Sequence, residues 1–337
     1  MDARSGPPGE VVGDVAGDER EAMEGRVIAL DGSTLDTPSR IPAPLREVEE
    51  VGAVGQGRCC GSFGELLQGA LPGEDQDFLV TLPIRCWSRA TFSASPGSQG
   101  ELCVLPPEKT KAREAARRTL AACGLPPGGR LTVTSELPEG KGLASSTADM
   151  VAAVRAVCAA HGRAAGPLAI ERLLRGIEPA DGVMYAGVVA YHHRQVRLLR
   201  RLGALPELAI LAIDEGGTVD TLAFNRLARG FASEAREEYA ALLFRMEVAL
   251  AAGDLVEVGR ISTRSAELHQ RCLPKRWLGD VLAVSEETGG LGVGVTHSGT
   301  CLGILFDRAD EQHLRRVECG RRLLGELGHP AAVFSSA

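Results

Sequence analysis

The stretch ELPEGKGLASSTADM, residues 136–150, sets Gly140, Lys141 and Gly142 shortly before Ser145, Ser146 and Thr147. Two glycines permit unusual dihedrals and close backbone approach, and a helix opening at SST presents free N–H groups and the positive end of its dipole. Together these make an anion site suited to a di- or triphosphate. Ser145 and Ser146 stand where they can cap the helix or offer a hydroxyl to a magnesium ion. The plainer alternative is that a glycine turn with a serine N-cap begins many helices that bind nothing. The segment is not a Walker A sequence, because G-x-x-x-x-G-K-[ST] is absent. Two other clusters carry less. Tyr191-His192-His193 has no third ligand at a metal-site spacing, and Cys59-Cys60 reads as strand core because no redox partner motif lies near.

Such a loop needs a strand to deliver it and a helix to follow it. The strand is RLTVTS, residues 130–135. The helix carries Met150, Val151, Val154, Val157 and Cys158 at i, i+1, i+4, i+7 and i+8, which predicts one buried stripe, with Gly162 just past its end. Upstream, apolar runs between Gly/Pro turns predict strands at 78–84, 86–93 and 101–105 and a helix over 108–123. Downstream, the pattern predicts a helix at 167–176, a charged turn at 177–182, a helix or strand of small residues around 183–200, and a central strand at 207–214. Helices at 222–252, 254–270 and 274–288, strands at 291–296 and 301–306, and a helix at 309–327 complete the order. Strands and helices cluster, so the fold class is α+β and not the regular βαβ alternation of a doubly wound sheet. Residues 1–52 have no aromatic residue, are rich in Gly, Pro, Asp and Glu, and are expected to form a mostly disordered extension.

The chain has 337 residues, room for one large domain or two lobes. Lys and Arg total 37 against 44 Asp and Glu, for a formal charge of -7. With no long basic run, nucleic acid is not an expected partner. HHRQVRLLRR (192–201) reads as a solvated helix face, with contact to a small anion as the alternative. Nine cysteines, odd in number and without C-x-x-C spacing, point to reduced thiols in a cytoplasmic protein and away from disulfides or zinc. No uncharged apolar run approaches the roughly 18 residues of a membrane helix, so no membrane contact is expected.

EGKGLASSTAD resembles the second signature of the GHMP kinases, P-x-x-x-G-L-x-S-S-x-A, with Pro138 in the place of its proline. GSFGELLQG (61–69) resembles the amino-terminal substrate signature, in which a G-E pair follows a strand, and GVGVTHSGTCLGILF (292–306) resembles the carboxy-terminal glycine-rich signature. Each is degenerate alone; the three in order are specific. The resemblance implies two α+β lobes, 53–200 and 201–337, with the active site in the cleft between them. GSFGELLQG, GKGLASSTAD, IEPADG (177–182) and THSGT (296–300) together are similar to the L-threonine kinase branch, whose members make O-phospho-L-threonine for the aminopropanol linker of cobalamin. That branch often has a threonine before the aspartate of IEPADG and a serine after it, where this chain has Ala180 and Gly182.

The resemblance implies an ATP- and Mg²⁺-dependent kinase, monomeric or homodimeric, acting on a small hydroxy amino acid or amino alcohol, L-threonine first. Pro138, Gly140, Lys141, Gly142, Leu143, Ala144, Ser145, Ser146 and Thr147 form the phosphate cradle, with PEKTKA (107–112) beside the nucleotide and Lys141 able to reach a phosphate oxygen. Ser146 matches the magnesium-binding serine, and Glu178 is the natural second ligand because Mg²⁺ takes hard oxygen donors. Asp181 matches the aspartate that orients the substrate hydroxyl or takes its proton; capping of a following helix is the alternative. Glu65 and Gln68 are polar groups in an apolar strand, a carboxylate for an ammonium and an amide for a carboxylate or hydroxyl. Ser62 joins them in the same signature. Ser298, Gly299 and Thr300 are assigned to the wall of the acceptor pocket, and His297 to a satisfied buried histidine. A silent small-molecule sensor on the same fold is the alternative of a different class.

Overall fold

The computed structural model describes residues 53–95, 100–204, 207–217 and 232–337. The extension expected over 1–52 and the opening of the helix expected over 222–252 lie outside these residues.

All ten described strands join one sheet, whose spine is β1 (Val54–Ala70) running antiparallel to β2 (Asp77–Ala94). From β2 the sheet continues through β4 (Gly129–Ser135) to a parallel edge strand, β3 (Leu102–Leu105). From β1 it continues through β8 (Gly292–Val295), β9 (Cys301–Asp307) and β7 (Leu208–Asp214) to β10 (Ala331–Ser335). A side branch pairs β5 (Val188–His192) with β2 and with β6 (Arg197–Gly203). The α+β reading therefore holds.

The sequence explains why one helix sits at the centre. In α2 (Ser145–Ala160) the alanines 148, 152, 153 and 156 are fully buried together with Met150, Val151, Val154 and Val157, so burial wraps the helix and is not the single stripe that the spacing predicts. The physical reason is a neighbour on more than one side: the sheet through β1 and β2, and α1 (Thr110–Ala122). Small side chains let the helix lie directly on the strand backbone; a Cβ on Gly57 would stand 2.2 Å from the Ala152 carbonyl oxygen. Each fully buried Val or Met side chain here contributes about 1.5–3 kcal/mol. This packing fixes where the helix begins, and hence where the preceding loop sits.

The remaining helices are α3 (Pro167–Leu174), α4 (Ser233–Ala252), α5 (Leu255–His269), α6 (Leu278–Thr288) and α7 (His313–Glu326). α5 lies against β8 and β1 with α4 packed on it, while α6 packs on β8 and β9 and pairs with α7. Among the described residues no helix is long and apolar enough to cross a membrane.

Four local expectations are corrected. The runs 78–84 and 86–93 are one strand, because Pro83 falls opposite Ser62 in a stretch where β1 slips register on either side, and bulges tolerate a residue without an N–H. The G-E pair does not follow a strand; Gly64 and Glu65 lie inside β1, which continues to Ala70. Residues 188–203 are a strand pair joined by a 3-10 turn at His193–Gln195, so HHRQVRLLRR is not a helix face: the β-branched and aromatic VVAYH favours a strand, and β6 returns with its arginines largely toward solvent. Finally, β10 has no counterpart in the predicted order.

Candidate active site

The loop 139–144 and the start of α2 line a cavity of about 270 Å³, together with the first turn of α1, residues 178–181, Glu65, His193, His297 and Ser298. The loop owes its shape to its neighbours. Ala144, the residue before the helix, is left-handed at φ 59 and ψ 25, which costs a non-glycine residue about 1–2 kcal/mol. The backbone N–H of Ser62 in β1 donates to the Leu143 carbonyl at 3.2 Å, and Gly142, at φ +81, leaves no space for a side chain against Thr296 and Gly299. A Cβ on Gly299 would lie 1.9 Å from the Lys141 carbonyl oxygen. Gly299→Ala is therefore expected to push the THSGT turn off the loop, with an overpacking cost of about 1–3 kcal/mol or more. Thermal melts check it: an unchanged Tm removes this turn as the buttress of the loop.

Neither serine caps the helix. The first in-helix bond runs from Ala148 N–H to the Ala144 carbonyl at 2.9 Å, and no side chain caps the end, so the N–H groups of Ser145, Ser146 and Thr147 precede the helical ladder. The Ser146 hydroxyl instead donates to Glu178, whose other carboxylate oxygen is ion-paired with Lys111 in α1. The 177–182 turn is held at two points: Ala180 N–H donates to the His193 carbonyl at 3.0 Å, and Asp181 N–H to the Thr147 hydroxyl at 3.2 Å. No described helix begins directly after Asp181, where the chain turns over 182–187 before β5, so it is not a cap. Burial pushes its carboxyl up to about 6, the nearby Glu178 charge adds to this, and a hydrogen bond with Thr147 works the other way.

Glu65 sits where β1 slips register between Ser62 and Leu67. Its side chain faces the same cavity, the residue is only 4 % exposed, and its Oε2 has no hydrogen-bond partner. Burial, reinforced by the Asp181 charge, holds this carboxyl well above the usual carboxylate range. Ser62 and Gln68, its companions in the signature, are not at the cavity wall. The Ser62 hydroxyl bonds Gly64 and Leu82 and locks the irregular stretch of β1. Gln68 Oε1 accepts from His297 Nδ1 at 2.6 Å, and His269 Nε2 donates to the His297 carbonyl at 3.0 Å, so His297 is a satisfied buried histidine.

Of the cradle residues, Gly140, Gly142, Leu143, Ala144, Ser145, Ser146 and Thr147 line the cavity, and Pro138 and Lys141 do not. The Lys141 ammonium turns away to Asp214 at the end of β7, 2.6 Å from Oδ2, and donates to the Gly217 carbonyl. Thr300 donates to the same Asp214, and Gly299 lies behind the loop, leaving Ser298 as the residue of its trio at the wall. Sequence reasoning placed Lys109 within PEKTKA beside the nucleotide but missed Asp149 and its pairing with that lysine. Asp149, 3 % exposed on α2, accepts from the Ser88 hydroxyl at 2.6 Å and from the Lys109 ammonium at 2.7 Å; Lys109 also reaches Glu139 at 2.5 Å. Burial opposes the charge of Lys109, but these two acids outweigh it and raise its pKa. A carboxylate between apolar residues of a buried helix is the signal that could have found this pair.

The donor set fits a magnesium nucleotide: unladdered N–H groups at a buried helix end, two lysines, and a hydroxyl beside a carboxylate as hard oxygen donors. The chain matches the family descriptions "GHMP kinases N terminal domain" over residues 110–188 and "GHMP kinases C terminal" over residues 246–318. It is 30 % identical to an L-threonine kinase of Citrobacter freundii over 261 residues, 74 % of this chain and 86 % of that protein. It is likewise 30 % identical to an L-threonine kinase of Salmonella typhimurium over 260 residues, 74 % and 82 % of the two chains. In fold it is similar to a homoserine kinase from Cytophaga hutchinsonii (TM-score 0.66, 15 % identity, 88 % of this chain and 97 % of that one). An L. major mevalonate kinase is also similar in fold (TM-score 0.61, 15 % identity, 84 % and 95 %).

Proposed function

Because the chain belongs to the GHMP kinase family and is thus a phosphotransferase, we propose that it transfers the γ-phosphoryl group of ATP to the side-chain hydroxyl of L-threonine, giving O-phospho-L-threonine and ADP. The observation that carries the acceptor is Glu65, a buried carboxylate without a partner in the cavity that also holds the glycine loop and Asp181. An acid left this way is matched by an ammonium. Supply of phosphorylated threonine for the aminopropanol linker of cobalamin belongs to this reading, as does the division into lobes at about residue 200.

Phosphoryl transfer needs positioning and charge neutralisation more than covalent chemistry. The N–H groups of Ser145, Ser146 and Thr147 and the helix dipole hold phosphate oxygens. Ser146 and Glu178 are the residues that would hold Mg²⁺, and a bound ion would offset charge on the transferring group. Asp181 aligns the acceptor hydroxyl and takes its proton as the new O–P bond forms and the bridging bond to ADP breaks. Its raised pKa makes it a better base than an ordinary carboxylate while leaving it ionised at neutral pH.

A second acceptor of the same class, another hydroxy amino acid or amino alcohol, is favoured by one observation. A Cβ at Gly182 would stand 2.4 Å from Val189 Cγ2, so the serine common at this place in L-threonine kinases has no space here without a shift. The test is ADP release with MgATP against L-threonine, L-serine, L-homoserine and 1-amino-2-propanol, with phosphorylated product verified by mass. L-threonine is expected to lead. L-serine should follow within roughly 10–200-fold, because one methyl contact is worth about 1–3 kcal/mol. Turnover led by another of the four moves the protein to the second reading, and silence with all four overturns L-threonine as the acceptor and leaves an untested acceptor or the silent sensor.

A further inference from the structure

Lys111 lies in the first turn of α1, and its ammonium is ion-paired with Oε2 of Glu178 while the Ser146 hydroxyl holds Oε1. Both oxygens of the acid are thus engaged. The Glu178 side chain is 5 % exposed and that of Lys111 is 41 % exposed, so a cation from the solvent side reaches in to a buried anion. The other lysine of this turn is committed elsewhere, since Lys109 is shared by Asp149 and Glu139. Among the described residues Glu178 is the only acid paired with Lys111. A buried carboxylate without a counter-charge is costly, and an ammonium and a divalent ion cannot occupy the same oxygen lone pairs.

We propose that Lys111 is a resident counter-ion of the metal site, occupying Glu178 until a divalent cation displaces it. This rests on the reading of Ser146 and Glu178 as the metal pair. Lysine suits the part, because its ammonium is a compact point charge on a flexible stem and Lys111 keeps a path to solvent. The exchange keeps the buried acid paired with a cation and aimed at the Ser146 hydroxyl without metal, and it makes the enzyme's demand for Mg²⁺ higher than its oxygen donors alone would set. Lys111 is then a positioning residue, with a signature opposite to that of a ligand: removing it improves metal affinity.

The experiment measures Mn²⁺ affinity of the full-length protein–ADP complex by electron paramagnetic resonance, for wild type, Lys111→Met and Glu178→Gln. Lys111→Met is expected to bind Mn²⁺ about tenfold tighter, and the free Mg²⁺ that half-saturates turnover should fall by a similar factor. The tightening should persist in 1 M KCl, where the Debye length is about 3 Å and a merely remote charge is screened. Unchanged or weaker Mn²⁺ binding, or tightening that disappears in salt, overturns the proposal. Lys111→Gln repeats the measurement if the methionine variant does not fold. Glu178→Gln separates the two readings. It should weaken Mn²⁺ binding, and if it does not, the metal pair itself is misassigned.

Discussion

Asp181→Asn is expected to lower kcat by about 10²-fold or more while leaving the fold and the metal dependence intact, the size of effect a positioned general base contributes. The substitution is close to isosteric, and the anchor of this residue is its backbone N–H on Thr147, which does not depend on the carboxylate. The pH profile supplies a second readout. The base must be ionised, and burial places its pKa at about 6, so kcat/KM of the wild type should fall as pH drops through that value. In Asp181→Asn the part of this limb that belongs to Asp181 should disappear from kcat at saturating L-threonine, while the proton that substrate drives off Glu65 leaves its own acid limb in kcat/KM. Turnover near wild type in a folded variant would show that the carboxylate only orients the hydroxyl or plays no part.

Glu65→Gln is expected to separate stability from function. Truncating one partner of a buried charge pair costs about 2–5 kcal/mol, so kcat/KM for L-threonine should fall by about 10²-fold or more, mainly through KM. The protein without substrate should become more stable at pH 7.5. The sign follows from proton linkage: the folded-state pKa of Glu65 lies well above its ordinary 4.5, so its contribution is fully present below 4.5 and is lost as pH rises toward the folded value. Wild type carries that penalty at neutral pH and glutamine does not. The gain in Tm should fade toward pH 4.5. Binding of an ammonium should also drive a proton off Glu65, read as a buffer-dependent enthalpy. A variant that is less stable at pH 7.5 and binds L-threonine normally would show that Glu65 is a structural acid with no acceptor role.

The glycine loop and its helix are legible in the sequence because their determinants are local: Gly140 and Gly142 stand two apart, and the apolar period of residues 150–158 follows at once. Most helices and the central strand 208–214 are legible for the same reason. What is not legible depends on partners remote in the chain. Lys141 looks like a phosphate ligand by its position, but the end of β7 presents Asp214 to it, and no local pattern records that approach. Gln68 looks exposed to a ligand until His297 arrives from the other end of the chain. The strand β10 is five residues at a sheet edge without clear alternation, and its partner β7 lies more than a hundred residues earlier. β2 runs through Pro83 because β1 opposite it is irregular, and a bulge is a property of a pair.

The loop's left-handed Ala144, its tie from Leu143 to β1 and its seat against Gly299 bear on protein engineering. Residues 138–147 hold their conformation through segments that begin near residue 61 and near residue 296, and the alanine at the turn opposes that conformation on its own. The signature is therefore not a portable cassette. Grafted onto another strand-loop-helix unit without its two supports, the same ten residues should relax, and a transplant that keeps nucleotide affinity would have to carry both flanking segments with it.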